Sequence, residues 1–158
     1  MKNKLSVFIA GLLVGIFVAV AAVAILLPKK MFIVYESKVG FGETVTAIEK
    51  SAAEHKWGIP HQYDLQATLK GKGFDVNPVK VMSLCKPEHA NEILSGNQER
   101  LAAALMPCRI AIYENDGKTY VSMLNSGLFS KFMGTKIKNV MGTASEENKL
   151  ILSPVIKN

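Results

Sequence analysis

CRIAIYENDGKTYVSML, residues 108–124, decides the fold of this chain. Cys108 through Glu114 reads as one strand and Lys118 through Leu124 as the next. Asn115-Asp116-Gly117 joins them, because Asp-Gly tolerates the positive φ angles that a tight hairpin turn demands. Upstream, Val79, Val81 and Ser83 alternate with Lys80, Met82 and Leu84, the period-two pattern of a further strand that ends at Cys85. Met31 to Lys38 supplies another β-branched and aromatic run, which makes four strands.

Helical periodicity fills the intervals. Val45, Ile48 and Ala52 mark one amphipathic face between Gly42 and His55, with Gly58 after Trp57 as a stop and Ile59-Pro60 as a break. Asp64 caps a short helix to Lys70, before the turn Gly71-Lys72-Gly73. Pro87 suits a first helical position and Glu88 favours the dipole there, with Ala90, Ile93 and Leu94 as the apolar stripe. Ser95-Gly96-Asn97 interrupts, and Gln98 to Leu105 resumes with Leu101, Ala104 and Leu105 inward. Past Gly127, the residues Phe129, Phe132, Met133, Ile137, Val140 and Met141 form another stripe, and Ser145 caps a last short helix. The expected architecture is α+β: a two-layer sandwich with a mostly antiparallel four-stranded sheet and helices on one face.

The N-terminus is different in kind. Leu5 to Leu27 contains no charge and only Ser6, Gly11 and Gly15 outside the apolar set, which raises the mean hydropathy of the 158-residue chain to +0.19. A helix of that length spans ~34 Å, enough for a hydrocarbon core of ~30 Å. Small-x-small sites at Ala19-Val20-Ala21 and Ala22-Val23-Ala24 offer the rival reading of a cleaved signal peptide. Such peptides carry shorter apolar regions, so retention as a transmembrane anchor over residues 1–30 is expected, with the globular domain over 31–158. Lys2, Lys4 and the terminal amine against Lys29 and Lys30 tip the positive-inside rule towards an internal N-terminus, which puts the domain outside the cytoplasm. Gly11, Gly15 and Ala19 fall at i, i+4 and i+8, a ridge that lets two spans pack closely as a homodimer.

Charge narrows the partners. Four of the 19 basic residues, Lys2, Lys4, Lys29 and Lys30, flank the apolar run, which leaves 15 against 13 acidic residues elsewhere. Nucleic acid therefore loses its electrostatic support as a partner, and the bilayer gains it. Lys131, Lys136 and Lys138 form a basic stretch with no acid between Lys118 and Glu146, suited to anionic headgroups, to an anionic ligand, or to a solvated helix face. The common nucleotide, zinc-protease and serine-hydrolase motifs do not occur, so no catalytic residue and no cofactor is assigned.

Two cysteines remain, Cys85 and Cys108. Cys85 ends a strand just before a helix start, where amide N–H groups and the dipole favour a thiolate. One continuous helix from Pro87 to Leu105 would leave the sulfurs at opposite ends of the sheet, whereas a turn at Ser95-Gly96-Asn97 folds the excursion back and brings them together. Poor helix formers in that tripeptide favour the second. The pair can be buried reduced thiols, a structural disulfide, a redox centre, or a soft-metal site for cuprous copper with Met82, His89 and Met106 as further ligands. His55, His61 and His89 lack a mutual metal spacing and read as surface or cap residues.

Cys85-Lys86-Pro87, Leu105-Met106-Pro107-Cys108-Arg109-Ile110, Tyr113-Glu114 and Asp116-Gly117-Lys118 together resemble the bacterial domain-of-unknown-function 302 family, over roughly Phe41 to Val140. The family's first motif usually has Asn where this chain has Lys86. The resemblance implies a small α+β domain that forms homodimers, sometimes behind an N-terminal anchor, and brings no reaction or substrate. Three functions are compatible with all this: a membrane-anchored binding or sensing module with Cys85 and Cys108 at its site, a thiol-disulfide or sulfur-compound oxidoreductase using Cys85, and a structural interaction domain for a membrane partner. Small thiols, sulfur compounds and soft metals are the ligands such a site would select.

Overall fold

A computed structural model describes residues 2–157; Met1, whose amine entered the orientation argument, and Asn158 lie outside the described residues. The chain divides into two compact units, one up to Met31 and one from Phe32 onwards.

The first unit is a single helix, α1 (Lys2–Met31). Its Val7–Met31 stretch is long and apolar enough to cross a membrane. Gly11, Gly15 and Ala19 are exposed on it, and a Cβ added at either glycine would meet nothing within 4 Å.

The second unit is built on a five-stranded antiparallel sheet: β1 (Phe32–Glu36), β2 (Gly58–Asp64), β3 (Val79–Cys85), β4 (Cys108–Asn115) and β5 (Lys118–Leu124), in the order β1-β5-β4-β3-β2. The β4–β5 hairpin forms as its turn chemistry requires, with Asn115 opposite Lys118 and Asp116 and Gly117 at φ 50° and 72°. The fifth strand is β2, where only a break at Ile59-Pro60 is expected from the sequence. It pairs with β3 alone, is almost wholly exposed, and shifts register between Gly58 and His61. Proline is tolerated there because an edge strand has one row of amides that no ladder needs. Asp64 closes this strand and caps α3 (Leu65–Lys70), accepting the Ala67 amide at 2.8 Å.

Core-facing residues follow from the register. Ile110 faces Met82 on one side and Met123 on the other, and Ile112 faces Val121. These lie beneath α2 (Phe41–Glu54), which brings Val45, Ile48 and Ala52, and α6 (Thr135–Leu152), which brings Ala144, Ile151 and Leu152. Burying side chains of this size at ~1.5–3 kcal/mol each makes this layer the main source of stability. A smaller cluster joins Ile93 of α4 (Pro87–Leu94) and Ala102 to Ile137, Val140 and Met141 of α6.

Four details differ from expectation. Met31 belongs to α1, so β1 starts at Phe32. Residues Glu99–Leu105 form a 3-10 helix, whose three-residue turn puts Ala102 inward and leaves Leu101 66% exposed. Phe132 leaves the expected stripe and is 82% exposed, because the chain breaks into α5 (Ser126–Phe129) and a 3-10 turn at Ser130–Phe132. The last two helical segments are one helix: α6 starts after Gly134, at φ 84°, and runs through a buried Ser145 that caps nothing. Its apolar stripe continues past Ser145 without a breaker, so tertiary packing overrides the local cap signal.

Candidate functional site

The excursion between the cysteines folds back. α4 ends at Leu94, the 3-10 helix returns, and β3 and β4 pair antiparallel with Leu84 opposite Cys108. Cys85 and Cys108 are therefore neighbours at one end of the sheet, both as free thiols. A cis peptide bond joins Met106 to Pro107 directly before Cys108.

Cys108 stands between two hollows. The first, about 30 Å³, is lined by Trp57, Cys85, His89, Met106, Cys108 and Met141 among others. That is room for one water molecule. Of the expected soft-metal ligands, Cys85, His89, Met106 and Cys108 reach it, whereas Met82 is fully buried in the sheet core. Among the described residues no three His, Cys, Asp or Glu side chains are grouped to hold a metal ion.

His89 is engaged elsewhere, beside this hollow. Glu147 Oε2 accepts from Trp57 Nε1 at 2.8 Å, from Lys86 Nζ at 2.8 Å and faces His89 Nε2 at 3.2 Å, while Oε1 takes Lys86 Nζ at 2.9 Å. Burial acts to raise the Glu147 pKa, but the hydrogen bonds from Lys86, Trp57 and His89 outweigh it and hold the carboxyl below its ordinary value. Lys86, at the position where the resembled motif usually has Asn, is thus one half of an ion pair that ties the start of α4 to α6. From the sequence, Glu147 reads only as an acid in the first turn of the expected last short helix, and Trp57 only as the residue before the Gly58 stop. Their partners stand 61 and 90 positions away along the chain, which periodicity does not register.

The second hollow is a cavity of about 400 Å³ where β4 and β5 meet the 3-10 helix. Leu105, Met106, Cys108, Ala111, Leu124 and Asn148 are among its walls, with Arg109 also present. Asn148 is 2% exposed and hydrogen-bonds the Cys108 side chain, yet its Oδ1 has no partner among the described residues. Buried amide oxygens are normally satisfied, so this one marks an acceptor waiting for a donor. Burial pushes the Cys108 thiol up; the Asn148 bond counters this in part, and Cys85 nearby adds to the rise.

His55 caps α2 through Nδ1 and Ser51 O at 2.8 Å, and His61 stacks on Tyr63 on the exposed edge strand. Neither joins the site.

Five antiparallel strands backed by two helices, with two thiols held at the sheet's end, define a small two-layer α+β domain. Within that class the chain belongs to the family described as "Domain of unknown function DUF302", which its residues 33–152 match. Among solved structures it is similar to an uncharacterized conserved DUF302 protein from Bacillus stearothermophilus. The identity is 22% and the TM-score 0.71, over 78% of this chain and 96% of that one, a likeness of fold. No curated protein matches the chain.

Proposed function

We propose that the chain is a single-pass, membrane-anchored binding module, with its domain outside the cytoplasm and its ligand in the 400 Å³ cavity beside Cys108. The observation that carries this reading is Asn148, a wall residue of the cavity whose buried Oδ1 has no partner among the described residues. A mostly apolar lining with Arg109, Ser122, Ser126 and Asn148 as its polar groups selects a small, largely apolar molecule with at least one polar group, a description that includes small thiols. Cys108 then serves as a soft, neutral contact. The alternative, thiol-disulfide exchange from Cys85, draws less support, because burial keeps the neighbouring Cys108 in its protonated form.

Phenol and toluene form a matched pair of probes that differ in one hydroxyl. In the full chain reconstituted in lipid nanodiscs, phenol is expected to shift the Asn148 side-chain amide resonance and to bind roughly fivefold tighter than toluene, the value of about one net hydrogen bond. Ala111→Trp, which fills the cavity, abolishes both effects. Entry of neither probe, or equal affinity for both, sinks the reading.

The module works as a homodimer in this proposal, with Gly11, Gly15 and Ala19 as the seam between spans. Gly11→Leu with Gly15→Leu is expected to leave monomers in gentle detergent, and an unchanged dimer rejects the seam.

A further inference from the structure

Lys131, Lys138 and Lys149 converge on a third concavity, of about 420 Å³, against a single acid, Glu146. Glu146 is occupied by Lys149 at 2.7 Å. Lys131 and Lys138 are exposed and have no ion-pair partner among the described residues. Ser145 is buried and brings a hydroxyl to the floor, Ser130 beside it already donates to Gly127 O at 3.2 Å, and Ile33 and Leu128 form an apolar wall. Two unneutralised cations with the Ser145 hydroxyl below them suit a phosphate oxyanion.

A second observation, independent of charge, selects the source of that phosphate. Phe132, the residue after Lys131, is 82% exposed, the most exposed large hydrophobic side chain of the chain's described residues. An aromatic ring offered to solvent beside a cation is the arrangement found where a protein meets the membrane interface. A third is the tether: Ile33 stands six residues beyond Leu27, where the charge-free apolar run ends, and two beyond Met31, where α1 ends. At ~1.5 Å per helical residue to Met31 and ~3.3–3.6 Å per residue beyond it, that link is about 13 Å long. So short a link raises the lipid phosphate concentration that the concavity meets.

We propose that this concavity holds the phosphate of an anionic lipid headgroup between Lys131 and Lys138, with Phe132 inserted into the interface beside it. The site rests on α1 being an anchor and is separate from the Cys108 cavity. It fixes the domain on the bilayer surface, so that composition of the membrane, and not only the span, sets the domain's pose.

Lysine acetylation followed by peptide mass spectrometry tests it on the full chain in nanodiscs of phosphatidylcholine alone or mixed with phosphatidylglycerol, with exposed Lys72 as internal reference. Lys131 and Lys138 are each expected to react about fivefold more slowly in the anionic discs, the value of one basic residue near such a surface. Phe132→Trp should be quenched by brominated acyl chains in those discs, above the baseline set by buried Trp57. Equal protection by inorganic phosphate on neutral discs overturns the lipid assignment in favour of a free anion. Lack of both protection and quenching overturns the site altogether. An alkaline wash of the same membranes separates the two levels: a chain that washes off refutes the anchor, whereas one that stays but shows no protection refutes only the headgroup site.

Discussion

Glu147 and Asn148 are consecutive residues of α6, and the two hollows they serve are opposites. On the Glu147 side there is room for one water, and the carboxylate is engaged by Trp57, Lys86 and His89. On the Asn148 side there is space for a small molecule, and a buried oxygen lacks a partner. Cys108 lines both. Polar groups saturated by the chain itself hold a fold together, whereas a buried polar group left open carries a cost that a ligand or an ordered water removes. One side of Cys108 is thus closed by the chain's own contacts, and the other is the side where the proposed ligand would sit.

If that division is right, Glu147→Ala is the most damaging change at either hollow. It strands the Lys86 ammonium and the Trp57 N–H, and an expected ~2 kcal/mol of unfolding free energy is lost, discounted for a side chain 25% exposed. Denaturant titration of the domain checks the figure; a loss under ~0.5 kcal/mol would make Glu147 an ordinary surface acid. Asn148→Leu, one residue on, should act in the other direction. It deletes the orphan acceptor at similar volume and forfeits only the bond to Cys108, so stability is expected to stay level or rise by up to ~1 kcal/mol while phenol no longer outbinds toluene. A loss comparable to that of Glu147→Ala would show that Asn148 is structural and collapse the distinction.

Acid sharpens the same contrast. Glu147 has a folded pKa below its unfolded value of ~4.3, so its contribution is fully present above that value and disappears as pH falls through the lower folded one. The stability gap between the native chain and Glu147→Gln should therefore shrink as pH falls from about 5 towards 3. The Asn148→Leu gap, with no titrating group of its own, should stay flat over that range.

Legibility in the sequence followed the range of the interaction. The hairpin at Asp116-Gly117, the capped start of α3 and the buried stripe of α2 rest on neighbours a few positions apart, and all appear as read. The fold-back at Ser95-Gly96-Asn97 was readable for the same reason, and it places Cys85 beside Cys108. By contrast β2 hides its strand character behind Pro60, because only its pairing with β3, some twenty residues on, makes an exposed polar segment a strand. Helix α6 misleads through a local cap signal at Ser145 that long-range packing overrides. The site divides likewise: the cysteines stand out by residue type, whereas Glu147 and Asn148 acquire their roles from partners distant in sequence, and a missing partner leaves no mark in a sequence at all.

The smallest effect is the most discriminating, because it is read at the sulfur both hollows share. Burial favours the neutral Cys108 thiol, so alkylation at pH 8 should run a few-fold slower than for an ordinary exposed thiol. Asn148→Leu removes the one hydrogen bond that offsets this burial and should slow the reaction further. Glu147→Gln removes negative charge from the opposite side but touches no atom of Cys108, so the rate should barely move if that side is only structural. Phenol, seated against Asn148, should protect Cys108 from alkylation in the native chain and fail to do so after Ala111→Trp. Were Glu147→Gln to change the Cys108 rate as much as Asn148→Leu, the two hollows would be one electrostatic unit, and a reactive-thiol reading would regain the ground that burial takes from it.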